Sequence, residues 1–431
     1  MRRASAVAAA LAAVLCLGGR AIEAQAVERL SLSDAEAQAL KNHPLIMAGQ
    51  YNALAGAETV REIRSAYFPT VYGSVTGAEA SSGSRIAAGG LNNPIILDRL
   101  AAGVSVSQLL TDFGRTSNLV QSANLREEAL KQDVVTDRAV ILLGVDHAYF
   151  SALRAQAVLR VAQETVDARQ VIVDQVTALQ AGNLRSGLDV SFARVNLGQA
   201  QLLLVQAQDE VQAAFARLSA ALGLQDSRTF ELSDEPLPPA PASDTAALVA
   251  QALRERPDAM AERLTQQSAS KFADAERALW FPTISAVGAA GEVPFREAGL
   301  ASPYSAAGIN VSVPVLNGSL FAARRSEASL RARAEEQRVR DLENRIARDV
   351  RVAWLDARTG YERLDLTDQI LVQATQGLDL AQARYNLGLS SIVELSQAQL
   401  NKTQAEIDQA TARYEYEAIQ AALKFQIGAL K

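Results

Sequence analysis

From about Gly114 to Ala181 apolar residues recur every seven positions. Val134, Ile141, Ala148, Ala155, Ala162 and Val176 form one seam, and Val145, Ala152, Leu159, Val166 and Val173 a second beside it. A heptad pattern this long predicts a helix with a coiled-coil partner. At ~1.5 Å per residue, roughly 68 residues make a rod of about 100 Å. The pattern returns with Ile346, Ala353, Ala374 and Ala381 beside Val350, Ala357, Leu364, Leu371, Leu378 and Tyr385. No proline occurs from Ile95 to Glu235 or from Val315 to Lys431, so nothing interrupts either rod. Each ends in a glycine-bearing turn, Gly182-Asn183-Leu184-Arg185-Ser186-Gly187 or Gly388-Leu389-Ser390-Ser391, and a second helix then runs to Gly223 or Gly428. The chain therefore predicts two helical hairpins, about 113–223 and 318–428. Their alanine-rich seams let helix axes approach closely.

Ahead of each hairpin the period changes from seven to two. Leu100, Ala102, Val104 and Val106 would face one side, with Ala101, Gly103, Ser105 and Ser107 on the other. Likewise Ile309, Val311, Val313 and Val315 oppose Asn310, Ser312 and Pro314. One-sided strands of about ten residues have the dyad pattern of an outer-membrane barrel. The predicted strands are about 67–80 and 100–110 in the first half, and about 281–290 and 304–315 in the second, separated by polar or glycine-rich loops at Ser81–Asp98 and Gly291–Pro303. Four strands fall short of the roughly eight that the smallest closed membrane barrel needs, and lipid tolerates no open sheet edge. A barrel built from them must be shared between subunits.

The two halves are a tandem repeat. Tyr67-Phe68-Pro69-Thr70 returns 213 residues later as Trp280-Phe281-Pro282-Thr283, while Asp189-Val190 with Asn196 returns as Glu394-Leu395 with Asn401 at an offset of 205. Asn42-His43-Pro44 matches Glu255-Arg256-Pro257, and Leu222-Gly223 matches Ile427-Gly428. Shorter helices, Ser33–Asn42, Leu45–Ala66, Ala246–Glu255 and Asp258–Leu279, open each half. The proline-rich stretch from Glu235 to Pro241 reads as an extended linker, and Phe230–Leu232 before it as a short strand. The expected segments are 1–26, 27–235 and 236–431.

Composition narrows the class. Arg2 and Arg3, an apolar run from Ala6 to Leu17 and Ala24-Gln25-Ala26 read as a secretory signal. The one cysteine, Cys16, follows Leu15 rather than a small residue, so no lipid anchor is expected. No later stretch reaches the apolar length of a spanning helix. A net charge of −6 with scattered Lys and Arg argues against nucleic acid. The enzyme reading has little support: His43 and His147 lie far apart without ligand-spaced neighbours, and Asp112-Phe113-Gly114 stands without the other kinase motifs. No cofactor is expected. A periplasmic adapter would also carry a coiled-coil hairpin, but only one of them, with soluble β-domains.

Phe68-Pro69-Thr70 and Phe281-Pro282-Thr283 at the strand starts, Gly187-Leu188-Asp189-Val190, and Arg384-Tyr385-Asn386-Leu387-Gly388-Leu389-Ser390 leading to Glu394-Leu395 resemble the TolC family of outer-membrane efflux proteins. The resemblance spans essentially the whole mature chain. It implies a homotrimer whose chains each give four strands to a twelve-stranded barrel above a twelve-helix periplasmic tunnel. It further implies a periplasmic adapter and an inner-membrane pump of the RND, ABC or MFS class, with type I protein secretion as the alternative role. Leu184, Arg185, Gly187, Gly388, Leu389 and Ser390 would fall on the adapter-docking surface. Asp189, Glu394, Tyr385 and Gln397 would fall at the tip gate.

Two accounts stand for the acids. Three-fold rings of Asp189 or Glu394 would attract cations, while Ser186-x-x-Asp189 and Ser391-x-x-Glu394 also fit capping boxes. Gln397 stands where relatives often have a second acid, and Ser390 where a basic partner would sit. Tyr385 is either a seam residue or a hydrogen-bond donor across to the neighbouring hairpin, with Asp189 as acceptor. Tyr67, Phe68 and Pro69, with Trp280, Phe281 and Pro282, read as an interfacial aromatic belt or as core.

Overall fold

The computed structural model describes residues 28–79, 81, 98–296 and 301–430. The signal reading of 1–26, including Cys16, and most of the Ser81–Asp98 loop lie outside the described residues. In chain order the elements are β1 (Glu28–Leu30), α1 (Leu32–Asn42), α2 (Pro44–Arg64), β2 (Thr70–Ala78), β3 (Arg99–Thr111), α3 (Arg115–Ala181), α4 (Gly187–Ala221), β4 (Phe230–Leu232), α5 (Thr245–Glu255), α6 (Pro257–Arg277), β5 (Thr283–Arg296), β6 (Tyr304–Ser312), α7 (Leu320–Asn386) and α8 (Ile392–Gln426). The second half repeats the order of the first. The heptad positions are buried or half-buried, with Val145, Ala152, Ala162, Val176, Val350 and Ala357 fully enclosed.

Contacts group the chain into two compact units that cut across the sequence halves. One comprises residues up to His43, Ile141–Pro241 and Asp356–Ala421. In it β1 and β4 pair in parallel, Glu28 opposite Phe230. Buried Tyr149 caps the pair, its hydroxyl lying 2.9 Å from the Leu30 carbonyl and 2.7 Å from that of Ser233. Beyond α4, Gly223 takes φ +75°, a left-handed conformation that glycine adopts without a side-chain clash. A side chain there would begin 3.1 Å from the Asn42 carbonyl, so two repeat landmarks, Leu222-Gly223 and Asn42-His43-Pro44, meet in space.

The other unit comprises Pro44–Val140, Ala242–Leu355 and the residues after Ala421. Gly428 repeats the arrangement, with φ +76° and its α-carbon side against the Glu255-Arg256 backbone. Ala252, Ala259, Ile346 and Val350 form a small core among α5, α6 and α7. Ser122 and Ser268 link α3 to α6 through hydrogen bonds in both directions, at 2.8 Å each.

The sheet of this unit has the order β2-β3-β5-β6, antiparallel throughout. Its strand limits differ from the expected ones in three places. Tyr67 and Trp280 lie in single 3₁₀ turns, and the strands begin at Thr70 and Thr283, because Pro69 and Pro282 have no N–H for the ladder. Residues Gly291–Arg296, expected as loop, continue β5 through a register shift where Ala102 opposes Glu292 and Leu100 opposes Phe295. A bulge spares one residue from pairing, which is how a strand accommodates Pro294. At the far end β6 stops at Ser312, so Val313 and Val315 lie outside the strand, next to Pro314.

Candidate functional site: an open sheet and two hairpin tips

The pairing register sorts the sheet into two chemically different faces. Val71 opposes Val106, Val75 opposes Ala102, Val104 opposes Ala290, and Ile284 opposes Val311. These residues, with Leu100 and Ile309, make one face aliphatic, and apart from half-buried Ile284 their large members are exposed, Val75 at 75%. The alternate face carries Thr70, Tyr72, Ser74, Ser105, Ser107, Ser285, Ala289, Asn310 and Ser312. An exposed apolar face backed by hydroxyls and small residues suits lipid outside and water inside. Among the described residues, strands β2 and β6 are each paired along one side only.

Tyr304 lies on the polar face across Gly291 and Gly103. A β-carbon on Gly291 would come 2.7 Å from the Tyr304 hydroxyl and 2.7 Å from Gly103 Cα, so both positions need glycine to admit the ring. At the base of the sheet, Phe281 stacks with Phe113 at 5.8 Å and Trp280 meets Phe321 edge-on at 6.0 Å. Tyr67, Phe68, Trp280 and Phe281 all remain 44% or more exposed. Pro69 and Pro282 fix the chain between each aromatic and its strand.

At the first tip, Asn183 rather than a glycine adopts the left-handed turn, with φ 57°. Ser186 then caps α4 in a complete capping box: its hydroxyl accepts from the Asp189 N–H at 3.2 Å, and the Asp189 carboxylate accepts from the Ser186 N–H at 3.1 Å. The second tip uses Gly388, φ +75°. Here the box is only half made. Ser391 Oγ accepts from the Glu394 N–H at 3.3 Å, but the Glu394 carboxylate sits 3.1 Å from Arg384 Nε. The two acids that looked equivalent in sequence therefore do different things.

Tyr385 is 2% exposed, in a core of Ile172, Val173, Val176, Val190, Ala193, Ile392 and Leu395. Of its two readings the seam position is the one seen: among the described residues the Tyr385 hydroxyl has no hydrogen-bond partner, and the Asp189 carboxylate is turned back onto its own helix start. Burial pushes the phenol upward, opposed by Arg185. That arginine holds the residue instead, its guanidinium 4.3 Å from the ring centre and donating to the Tyr385 carbonyl at 2.6 Å. Arg185 and Arg384 were visible in the tip motifs, but nothing in their spacing named their partners. Leu184, Leu387 and Leu389 project outward. Gly187 opens α4, Ser390 Oγ is buried without a partner, and Gln397 donates to Asn401 at 2.9 Å. Asn196 reaches across to Ser396 at 2.7 Å, tying α4 to α8.

A one-sided four-stranded sheet together with two long helical hairpins is the set of elements of an outer-membrane channel with a periplasmic helical tunnel. The chain belongs to the outer membrane efflux protein family, whose model matches residues 36–224 and 248–429. It is 24% identical to the outer membrane protein TolC of Salmonella enteritidis over 406 residues, 91% of this chain and 81% of that one. Against TolC of Escherichia coli K12 it is 24% identical over 432 residues, covering 93% and 84%. Among solved structures, the outer-membrane channel OprN superposes with a TM-score of 0.81 at 20% identity over 92% of this chain and 89% of that one. VceC of Vibrio cholerae gives 0.78 at 17% identity, covering 92% and 96%. The protein acts as an outer-membrane efflux channel, and members of its family are channels rather than enzymes.

Proposed function

We propose that three copies of this chain close a twelve-stranded barrel, and that the resulting tunnel is the outer component of a tripartite exporter served by a periplasmic adapter and an RND, ABC or MFS pump. The observation that carries this is the four-stranded sheet with an exposed aliphatic face and an unpaired side on both β2 and β6. Unpaired backbone groups cannot face hydrocarbon, so each edge needs a strand from another copy. Each chain contributes two equivalent halves, 27–235 and 236–431, after loss of the signal 1–26.

The exposed leucines and turn backbone at Leu184, Arg185, Gly187, Gly388, Leu389 and Ser390 form the adapter-docking surface. Asp189, Glu394, Tyr385 and Gln397 set the tip. Of the two acids, Glu394 is the one whose carboxylate is free of capping duty, so its pairing with Arg384 is the adjustable element of the gate. The belt aromatics Tyr67, Phe68, Trp280 and Phe281 sit where the barrel meets the periplasmic headgroups. Light scattering of the detergent-solubilised protein tests the assembly. A trimer is expected, and a monodisperse monomer retaining full β-content would overturn it.

A further inference from the structure

The polar face of the sheet carries no acidic or basic side chain over Thr70–Thr76, Ala101–Ser107, Ser285–Gly291 and Tyr304–Ser312. Charge enters this face only at the end of the strands remote from the helices, where Arg99 of β3 stands directly opposite Arg296 of β5. Like charges directly opposed across a ladder destabilise a sheet. The pairing of Ala78 with Arg99 and of Thr76 with Ala101 puts Arg99 on the same face as Ala101 and Ser105.

Arg296 reaches that face only through the bulge. Glu292 opposes Ala102 on the aliphatic face, and strict alternation from Glu292 would return Arg296 to it. One extra residue between Glu292 and Phe295 reverses the phase, so Phe295 falls beside Leu100 on the aliphatic side and Arg296 beside Arg99 on the polar side. The bulge is held in place. The Val293 N–H donates to Ser302 Oγ at 3.0 Å, and Arg296 Nη1 donates to the Val293 carbonyl at 3.2 Å. A bulge hydrogen-bonded in this way re-aims a side chain at the cost of a repulsive pair.

The two guanidiniums line a recess of about 880 Å³ together with Glu79 and Asp98, which flank the strand ends. We propose that Arg99 and Arg296 form an anion-attracting rim at the outer mouth of the barrel, selective for solutes bearing phosphate or carboxylate groups. The planar guanidinium matches both groups through paired N–H donors, and rings of arginine mark anion and phosphate pores. This rests on the barrel reading above, under which three copies place six guanidiniums around one opening.

Planar-bilayer recordings of the full-length protein test the rim, comparing wild type, R99Q/R296Q and R99K/R296K under a KCl gradient and with inorganic tripolyphosphate added to either side. The rim predicts that the chloride-to-potassium permeability ratio falls about twofold or more in R99Q/R296Q and is retained in R99K/R296K. It also predicts that tripolyphosphate reduces the current of wild type from one side only and leaves that of R99Q/R296Q unchanged. Channels of normal conductance with the same ratio and the same tripolyphosphate response in all three would overturn the rim while leaving the barrel standing. Absence of channels from the wild type itself would overturn the barrel reading, and the rim with it.

Discussion

Glu417 of α8 is 2% exposed, and among the described residues neither of its carboxylate oxygens has a hydrogen-bond partner. Its nearest cation, Arg413, stands 3.7 Å away at Nε, close enough for attraction but without a hydrogen bond. Burial, reinforced by the negative charge of Asp234 and Glu235 at the start of the linker, pushes the carboxyl from 4.5 up to about 7. The folded state therefore holds a proton over a range in which the unfolded chain has released it. A raised carboxyl pKa means that the folded state is favoured at acid pH, and that stability is lost as pH rises from about 4.5 through about 7. At 1.36 kcal/mol per pH unit that interval caps the loss at about 3 kcal/mol. Glu417→Gln keeps the shape and removes the charge. Its expected effect is a gain of about 1 to 3 kcal/mol at pH 8 and almost none at pH 4.5. Unfolding of the detergent-solubilised protein followed by helical circular dichroism at both pH values reads the difference. A stability gap between variant and wild type that is the same at both values, or a wild type favoured at pH 8, would refute the reasoning.

Three further outcomes follow from the geometry. Glu394→Gln leaves the α8 cap intact, because that cap uses the residue's N–H, and it should lower cation preference in bilayer recordings; an unchanged reversal potential removes Glu394 from the gate. Ser186→Ala removes the hydroxyl half of the capping box, leaving the backbone N–H that Asp189 accepts from, and should cost about 0.5 to 2 kcal/mol, read as faster amide exchange in the first turn of α4. Gly291→Ala drives a β-carbon into Tyr304 and the β3 backbone and should lower barrel stability by about 1 to 3 kcal/mol in heat-modifiability gels, whereas Gly308→Ala, with open space around it, should not.

The helical hairpins were legible because their burial pattern is written in the spacing of residues such as Val145, Ala152 and Val350, and a heptad survives any detail of the surroundings. The strands were legible for the same reason at period two. What was hidden depends on which way one side chain turns. Ser186-x-x-Asp189 and Ser391-x-x-Glu394 are the same string of residue types, and only Arg384, ten residues back across a turn, decides that the second acid leaves its cap. The bulge was hidden more deeply. Gly291 and Pro294 are loop formers in any reading by composition, yet Gly291 stays in the ladder opposite Gly103, and the register shift beyond it excuses Pro294.

The short parallel pair of β1 with β4 joins residues 202 apart in sequence. Three ladder rungs cannot offset the entropy of closing a free loop of that length, since closure cost rises with the logarithm of the span and parallel pairing is the weaker kind. The pair can form only once α3 and α4 have folded back on each other and brought the ends together. It thus acts as a checkpoint in time: Tyr149, on α3, finds the Leu30 and Ser233 carbonyls only in a chain whose first hairpin is complete, and docking of the N-terminal strand should be among the last steps of folding.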